Sequence, residues 1–441
     1  AAGTTAAPPV TTATTTTTIP LCAELSSEAI PGLLTVKAAE LPTPISSACG
    51  GMGSRRSCRH GFYAASAETD LHALLYNDIE GRALLVLIDG EDDVAGEQDL
   101  GAQEVRGLQF EPGAEHLVAL ISGGTGIQNS PSYFVKVHVP SLAIVWRKPV
   151  ESPVVGMEKW TPDNADAIAV SEDRYVLHSA GVCREGTWCE GRQGDLIQVL
   201  NATTGERLDE EGKDFSAARS CKQMVAYNPL SESFLFANAG DDPAALQFSS
   251  LSGGEHRAGA ARFESWGDGR GRQGVTQGAV RADPDGPGFA AVWSYGDESG
   301  QSDKLHFARI DEAAAFAVQP HIVFPHVAGT EIGAGLVSLG GGRWLVGYTE
   351  ADQDIVTDYL QTFWDDWGVP DEVRAKGSRL AVLDASGAVL GTPVNVAALG
   401  APIPVEINHL AARPDGVGWV AISGPGRSAF TVAHLRCRRG A

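Results

Sequence analysis

Positive charge is in short supply in this chain. Lys and Arg number 33 against 55 Asp and Glu, a formal net charge of −22. Such a surface repels nucleic acid and anionic membranes, which excludes a general polyanion binder. No run of eighteen apolar residues occurs, so no membrane-spanning helix is encoded. Neither GxSxG nor HExxH is present, which removes the two most readable hydrolase signatures. No cysteine pair has the CxxC form of a zinc site or a redox motif. The Gly-rich stretch Trp266 to Gly274 carries Arg270 and Arg272, but it lacks the Lys-Ser/Thr ending of a phosphate loop. His321 and His326 flank Phe324-Pro325 without a second ligand set, and the carboxylates are too numerous for a glycosidase pair to stand out. Methionine is scarce at 3 while glycine is abundant at 52, which suits many short strands and tight turns.

What is present is a repeated strand phrase. In Gly278 to Ile310, Ala279 to Ala282 is a short strand, and Asp283-Pro284-Asp285-Gly286 is a turn in which Pro presets φ. Phe289 to Tyr295 is an apolar run of strand length. Lys304 to Ile310 alternates, with Leu305, Phe307 and Arg309 on one side. The phrase returns at Val105 to Arg147, Ala167 to Leu200, Met224 to Leu251, Ile332 to Asp384 and Ile407 to Arg436, with a first unit opening near Phe62. First strands begin roughly 45 to 75 residues apart, a loose repeat period. The expectation is an all-β chain: a β-propeller of seven antiparallel blades over residues 61–441. A lead-in over 21–60 and a Thr-rich tail over 1–20 precede it. Because one blade of a propeller is often completed from the opposite terminus, residues around Thr16 to Leu25 are a candidate for that strand, a use that competes with polymerisation for the same segment.

The phrases Gly288 to Trp293 with Leu305 to Asp311, and Gly342 to Tyr348 with Leu380 to Gly387, resemble blades of secreted bacterial β-propeller proteins. There a strand opening G-x-aromatic is followed by one ending in Asp-x-x-Gly. Asp384 to Gly387 and Asn201 to Gly205 fit that turn, whereas Asp311-Glu312-Ala313 departs from it. The resemblance extends over about residues 60 to 437. It implies a fold and a surface location, and many members of that family carry no assigned activity.

Cysteine usage and the N-terminus point to export. Cys183 with Cys189 and Cys49 with Cys58 bracket short loops suited to local disulfides, and Cys22 with Cys437 lie near the two ends, where ring closure would bring them together. Cys221 is left over. The opening Ala-Ala-Gly-Thr is what cleavage behind small residues leaves, so an extracellular or cell-surface location is expected. Nine of residues 1–20 are Thr. Two readings stand side by side: a flexible, O-glycosylated stalk, or a strand (Val10, Thr12, Thr14, Thr16, Thr18, Ile19) that adds to an open sheet edge. Addition to the next subunit would be head-to-tail and would give a polymer.

Other stretches carry interaction or ligand chemistry. Asp89, Glu91 and Asp93 place oxygens at alternate positions and suit a hard cation such as calcium, although Val94 and Leu100 break the EF-hand pattern. The alternative is a solvated connection between blades. Asp352 to Trp367 reads as an inserted amphipathic helix whose Tyr359, Phe363, Trp364 and Trp367 either pack on the propeller or face a partner subunit or a sugar. Arg55, Arg56 and Arg59 form the densest basic cluster, free to dock on a carboxylate-rich face of another subunit or to be bridged within their own. Asn201-Ala202-Thr203 is a glycosylation sequon. No catalytic residue is singled out. The chain therefore reads as an exported, non-enzymatic structural or interaction module that self-assembles through its tail. The competing reading is a cell-surface carbohydrate binder or hydrolase working from one propeller mouth.

Overall fold

The computed structural model describes residues 22, 24–45, 61–102, 104–122, 132–150, 157–160, 168–183, 193–208, 215–216, 224–241, 244–264, 275–296, 303–325, 330–351, 377–403, 410–423 and 428–437. They form a β-propeller of seven antiparallel sheets, each following the chain outward from an inner strand. Blade one is Phe62–Ala65, His72–Asn77, Ala83–Ile88 and Val94–Asp99. Blade two is Glu104–Phe110, His116–Ser122, Ser132–His138 and Ala143–Val150. In blade three both Met157–Trp160 and Ile168–Val170 pair with Arg174–Cys183, followed by Gln193–Asn201 and Phe215–Ser216. Blade four is Met224–Asn228, Ser233–Asp241, Ala244–Ser252 and Glu255–Glu264. Blade five is Val275–Ala282, Phe289–Gly296, Asp303–Ile310 and Phe316–Ile322. Blade six is Thr330–Gly340, Arg343–Ala351, Ser378–Leu383 and Val394–Asn395.

Blade seven joins the two ends of the chain. Ala411–Arg413, Gly416–Ser423 and Ala429–Arg436 take their outer strand from Leu34–Glu40, whose register runs unbroken from Leu34 opposite Leu435 to Glu40 opposite Ala429. The closing strand is therefore not Thr16 to Leu25 but lies further along, in the stretch read as lead-in. Its sequence, LTVKAAE, holds helix formers as well as strand formers, so only the partner strand decides its conformation. Cys22, disulfide-bonded to Cys437 with Cα atoms 5.3 Å apart, anchors the segment before it. Ser27 and Ile30 are fully buried in that segment, and the Arg343 guanidinium donates to the Leu25 carbonyl (2.7 Å).

Side-chain alternation builds the core between blades. Apolar residues on facing sheets interdigitate, as where Leu75 and Leu85 of blade one meet Leu108, Leu117 and Val135 of blade two. Trp293, Trp344 and Trp419, on the second strands of blades five, six and seven, are fully buried. Each large apolar side chain taken from water contributes roughly 1.5–3 kcal/mol. Packing is non-directional, so polar bonds between neighbouring blades help fix how the blades sit. Asn77 accepts the Val105 N–H (3.1 Å), Lys136 donates to the Ala202 carbonyl (3.1 Å), and the neutral ring of His178 donates to the Met224 carbonyl (3.2 Å). Asn228 donates to the Gly288 carbonyl (2.6 Å), Leu305 N–H donates to Glu331 (2.8 Å), and Arg413 donates to Asp92 (3.1 Å).

The turn from third to fourth strand repeats one device. Asp89, Asp311 and Asp384 each accept two later backbone N–H groups, as Asn201 does in blade three. A residue three or four positions on then takes a positive φ: Asp92 (63°), Ala314 (57°), Gly387 (86°) and Gly205 (67°). Blade five makes the same turn as its neighbours with Ala314 in place of glycine. The sequence departure at Asp311-Glu312-Ala313 is thus a departure in residue type only.

Candidate interaction site

In this antiparallel order the first-to-second turns of every blade and the third-to-fourth turns of blades one to six lie on one face, which we call the turn face, and in blade seven the third strand ends and Leu34 begins there. The second-to-third connections and the links between blades leave from the opposite face. At the turn face the inner strands of all seven blades converge on a central cavity of about 350 Å³, at the low end of the size range for ligand pockets. Each of five inner strands contributes an alanine to its wall, at Ala65, Ala169, Ala226, Ala282 and Ala411. Small side chains are what inner strands need where seven of them crowd one axis. Polar character comes from Gln109, whose amide donates to the Ile168 carbonyl (2.6 Å), from Arg281, which donates to the Val280 carbonyl (2.7 Å), and from Tyr227 and Ser338.

Two buried clusters of charged groups sit between blades. Where blade seven meets blade one, the buried Arg413 guanidinium lies 3.1 Å from Asp92, and His72 Nε2 lies 3.2 Å from the same carboxylate and 3.1 Å from the Asp89 carbonyl. Burial opposes ionisation of Asp92, but His72 and Arg413 together outweigh it and hold the carboxyl at about 2. Burial, aided by Arg413, pushes His72 below the usual imidazole range. On the same seam His434 Nε2 donates to Asp415 (2.8 Å) while its Nδ1 accepts from Arg436 Nε (3.1 Å). Both ring nitrogens of His434 are therefore engaged, which leaves this histidine–carboxylate pair no place for a nucleophile.

Glu331 is a further buried acid between blades. Its side chain is fully buried between blades five and six, and Glu350 stands opposite it in the register. Oε2 accepts the Leu305 N–H, Oε1 has no hydrogen bond, and the Lys304 ammonium is 3.9 Å away. Burial, with a smaller push from Glu350, raises its carboxyl to about 7 against the pull of Leu305 and Lys304. The folded state thus holds a proton that the unfolded chain releases near 4.5. The stability this proton carries is fully present below pH 4.5 and is lost as pH rises through 7. Glu331→Gln cannot ionise and keeps an acceptor for Leu305. It is expected to be more stable than the parent at pH 8 by about 1–3 kcal/mol and equal to it at pH 4.5, in urea titrations at both pH values. Equal stability at pH 8 would refute the assignment.

Among residues singled out from the sequence, Asp89, Glu91 and Asp93 form the third turn of blade one. Asp89 Oδ1 accepts the N–H groups of Glu91 and Asp93, and Asp93 pairs with Lys37 (2.5 Å). Among the described residues no group of three or more His, Cys, Asp or Glu is placed to hold a metal ion. Cys183 ends a strand of blade three. Residues 10–19, Cys49, Cys58, Cys189, Arg55, Arg56, Arg59, Tyr359, Phe363, Trp364 and Trp367 lie outside the described residues.

No family model matches the chain, and no curated protein does. Solved structures do resemble it. The WD40 domain of Toxoplasma gondii coronin aligns over 94% of this chain and 88% of its own, at 10% identity and TM-score 0.49. The β-propeller domain of the Trilobed protease from Pyrococcus furiosus, described as having an open velcro topology, aligns over 75% and 83% at 10% identity and TM-score 0.43. A chain of the mitotic checkpoint complex aligns over 91% and 94%, at 10% identity and TM-score 0.47. These are likenesses of fold. Among the described residues no helix is long and apolar enough to cross a membrane.

The Arg413–His72–Asp92 cluster had no local signal in the sequence: Arg413 and His72 are 341 positions apart. Its one mark was the acidic stretch Asp89, Glu91 and Asp93, which brackets Asp92.

Proposed function

We propose that this chain is an exported, non-enzymatic interaction scaffold that assembles with copies of itself by donating its Thr-rich segment as a strand. One observation carries the reading. Leu34–Glu40 completes blade seven, so ring closure makes no demand on residues 1–20. On sequence grounds, closure and polymerisation competed for that segment, and the competition is removed. Val10 to Ile19 contains neither Gly nor Pro and is rich in β-branched residues, the composition of a strand that lacks only a sheet. A disulfide between residues 415 positions apart fits an oxidising, extracellular setting. The resemblance of two blades to secreted bacterial propellers is in keeping with that setting. The acidic surface resists non-specific association and leaves assembly to a specific contact.

The test compares the full chain with one lacking residues 1–20, by electron microscopy and light scattering. Filaments or large oligomers in the first and monomers in the second are expected, with identical thermal unfolding. An oligomer unchanged by the deletion refutes the reading. Monomers in both refute it as well, and move attention to ligand binding at the central cavity, where a glycan array and a hydrolase panel would decide between a carbohydrate binder and an enzyme.

A further inference from the structure

A donated strand needs an acceptor, and the outer edges of the blades are not equivalent. An edge invites addition when it is long, regular and free of proline, bulges and guarding charges. The outer strands of blades three and six are two residues each among the described residues. Blade two's outer strand has a register shift at Lys136/Val137 and carries Pro149, which lacks a donor. Blade four's outer strand is shifted at Gln247/Ser249, and its Ala261 N–H is already taken by the Ala314 carbonyl of blade five (2.8 Å). Blade five's outer strand contains Pro320 and has two register shifts. Blade one's edge is shifted at Leu87/Ile88 and carries Glu97 and Asp99.

Blade seven is the exception. Leu34–Glu40 is seven residues long, has no proline and no register shift, and leaves every side chain at least partly exposed, with Val36 at 41%. Its only cation, Lys37, leans sideways onto the Glu91 carbonyl (2.7 Å) and Asp93 of blade one instead of guarding the edge, and its one acid, Glu40, stands at the last position of the strand, opposite Ala429. Val36 offers a β-branched partner to a β-branched incoming strand.

We propose that the outer edge of Leu34–Glu40 accepts the Val10 to Ile19 segment of a neighbouring copy, a contact that rests on the tail-donation reading above. The segment outside the structure is long enough, since at ~3.3 Å per residue Val10 to Ile19 exceeds the whole seven-residue edge. Its root is also placed for handing on. Cys22 is bonded to Cys437, and Leu34 pairs with Leu435, so the root and the start of the edge lie together at the turn face. A copy's own segment, rooted at the turn face, would run antiparallel to its edge just as a neighbour's would, so isotope mixing and not strand direction separates the two. The contact is heterologous, so it propagates instead of closing.

The experiment places a photoreactive benzoylphenylalanine at Val36 in the full chain, mixes equal parts of unlabelled and nitrogen-15-labelled protein before assembly, and maps cross-links by mass spectrometry. Expected are cross-links from position 36 to peptides within residues 1–20, with mixed-isotope pairs making up about half. Val36→Lys with Ala38→Lys is expected to reduce assembled material about tenfold or more while circular dichroism stays unchanged. If the double variant misfolds, the cross-link map alone decides. Same-isotope pairs only would show the segment folding onto its own subunit and overturn the proposal. Assembly that requires residues 1–20 but cross-links elsewhere would overturn this acceptor and leave tail donation standing. Assembly indifferent to residues 1–20 overturns both.

Discussion

Replacing Arg413 by alanine is expected to lower the unfolding free energy at pH 7.5 by about 3–5 kcal/mol, the usual consequence of stranding one partner of a buried ion pair. Arg413 is 1% exposed and donates to Asp92, whose side chain is 8% exposed. Without the guanidinium, Asp92 keeps His72 as its near partner, 3.2 Å away, and at pH 7.5 that ring is neutral. The size of the defect is therefore expected to depend on pH. In the parent, burial and Arg413 both hold His72 below its ordinary range. Removing Arg413 removes the second cause, so the His72 pKa rises and the imidazolium forms at a milder pH. It then neutralises Asp92. The variant's deficit should accordingly shrink as pH falls from 7.5 towards 5.5, a direction a mere cavity would not produce. Urea unfolding at the two pH values measures it. Replacing the pair together, Arg413→Met with Asp92→Asn, is expected to recover most of the loss, because no charge is left buried without a partner. A deficit below about 1 kcal/mol, or one that grows in acid, would show that the seam is not held electrostatically.

The same seam shows where reading the sequence succeeds and where it stops. Strands between two neighbours were legible because both faces are buried and the residues say so: Phe289–Gly296 and Asp303–Ile310 are nearly continuous runs of apolar or alternating side chains. Seven blades followed from counting such runs with their Pro-Gly turns. The outer strands were mostly missed for the converse reason. Val94–Asp99 and Glu255–Glu264 face water, so their sequences, VAGEQD and EHRAGAARFE, carry the polar residues of a solvated loop, and only the neighbouring strand makes them β. The closing strand was missed for both reasons at once. Ala314 shows a third limit. Its left-handed conformation is imposed by Asp311 accepting two N–H groups, so glycine, the residue one searches for, is not required. The Cys22–Cys437 pair was foreseeable because it follows from topology: a ring that closes must bring its ends together. The central cavity could not be foreseen residue by residue, since its wall takes a few side chains from each of seven strands and no local pattern distinguishes them.

Removing that disulfide, with Cys22→Ser and Cys437→Ser together, is the other substitution expected to have a large effect. The bond spans 415 positions, so in the unfolded chain it constrains nearly the entire polypeptide. A loop that long should contribute towards the upper end of the range for disulfides, about 3–5 kcal/mol. Both cysteines are buried, and Cys22 packs with Leu25, Ile30 and Trp419, so the serine pair also brings hydroxyls into an apolar cluster. Two contributions are therefore expected, and they separate. Alanine at both positions keeps the loss of the cross-link without the buried hydroxyls, and should be less destabilised than the serine pair by about 1 kcal/mol or more. The ring itself should stay closed in either variant, because Leu34–Glu40 retains its seven-residue register with Ala429–Arg436 and the Ser27 hydroxyl still bridges the Leu390 carbonyl and the Val382 N–H. Hydrogen exchange distinguishes the roles. Amides of residues 34–40 should keep their protection relative to the other outer strands, while those of residues 24–30 exchange faster. If residues 34–40 lose protection together with 24–30, the covalent bond and not the strand holds the propeller shut, and an edge that opens with the redox state could not serve as a fixed acceptor for another copy.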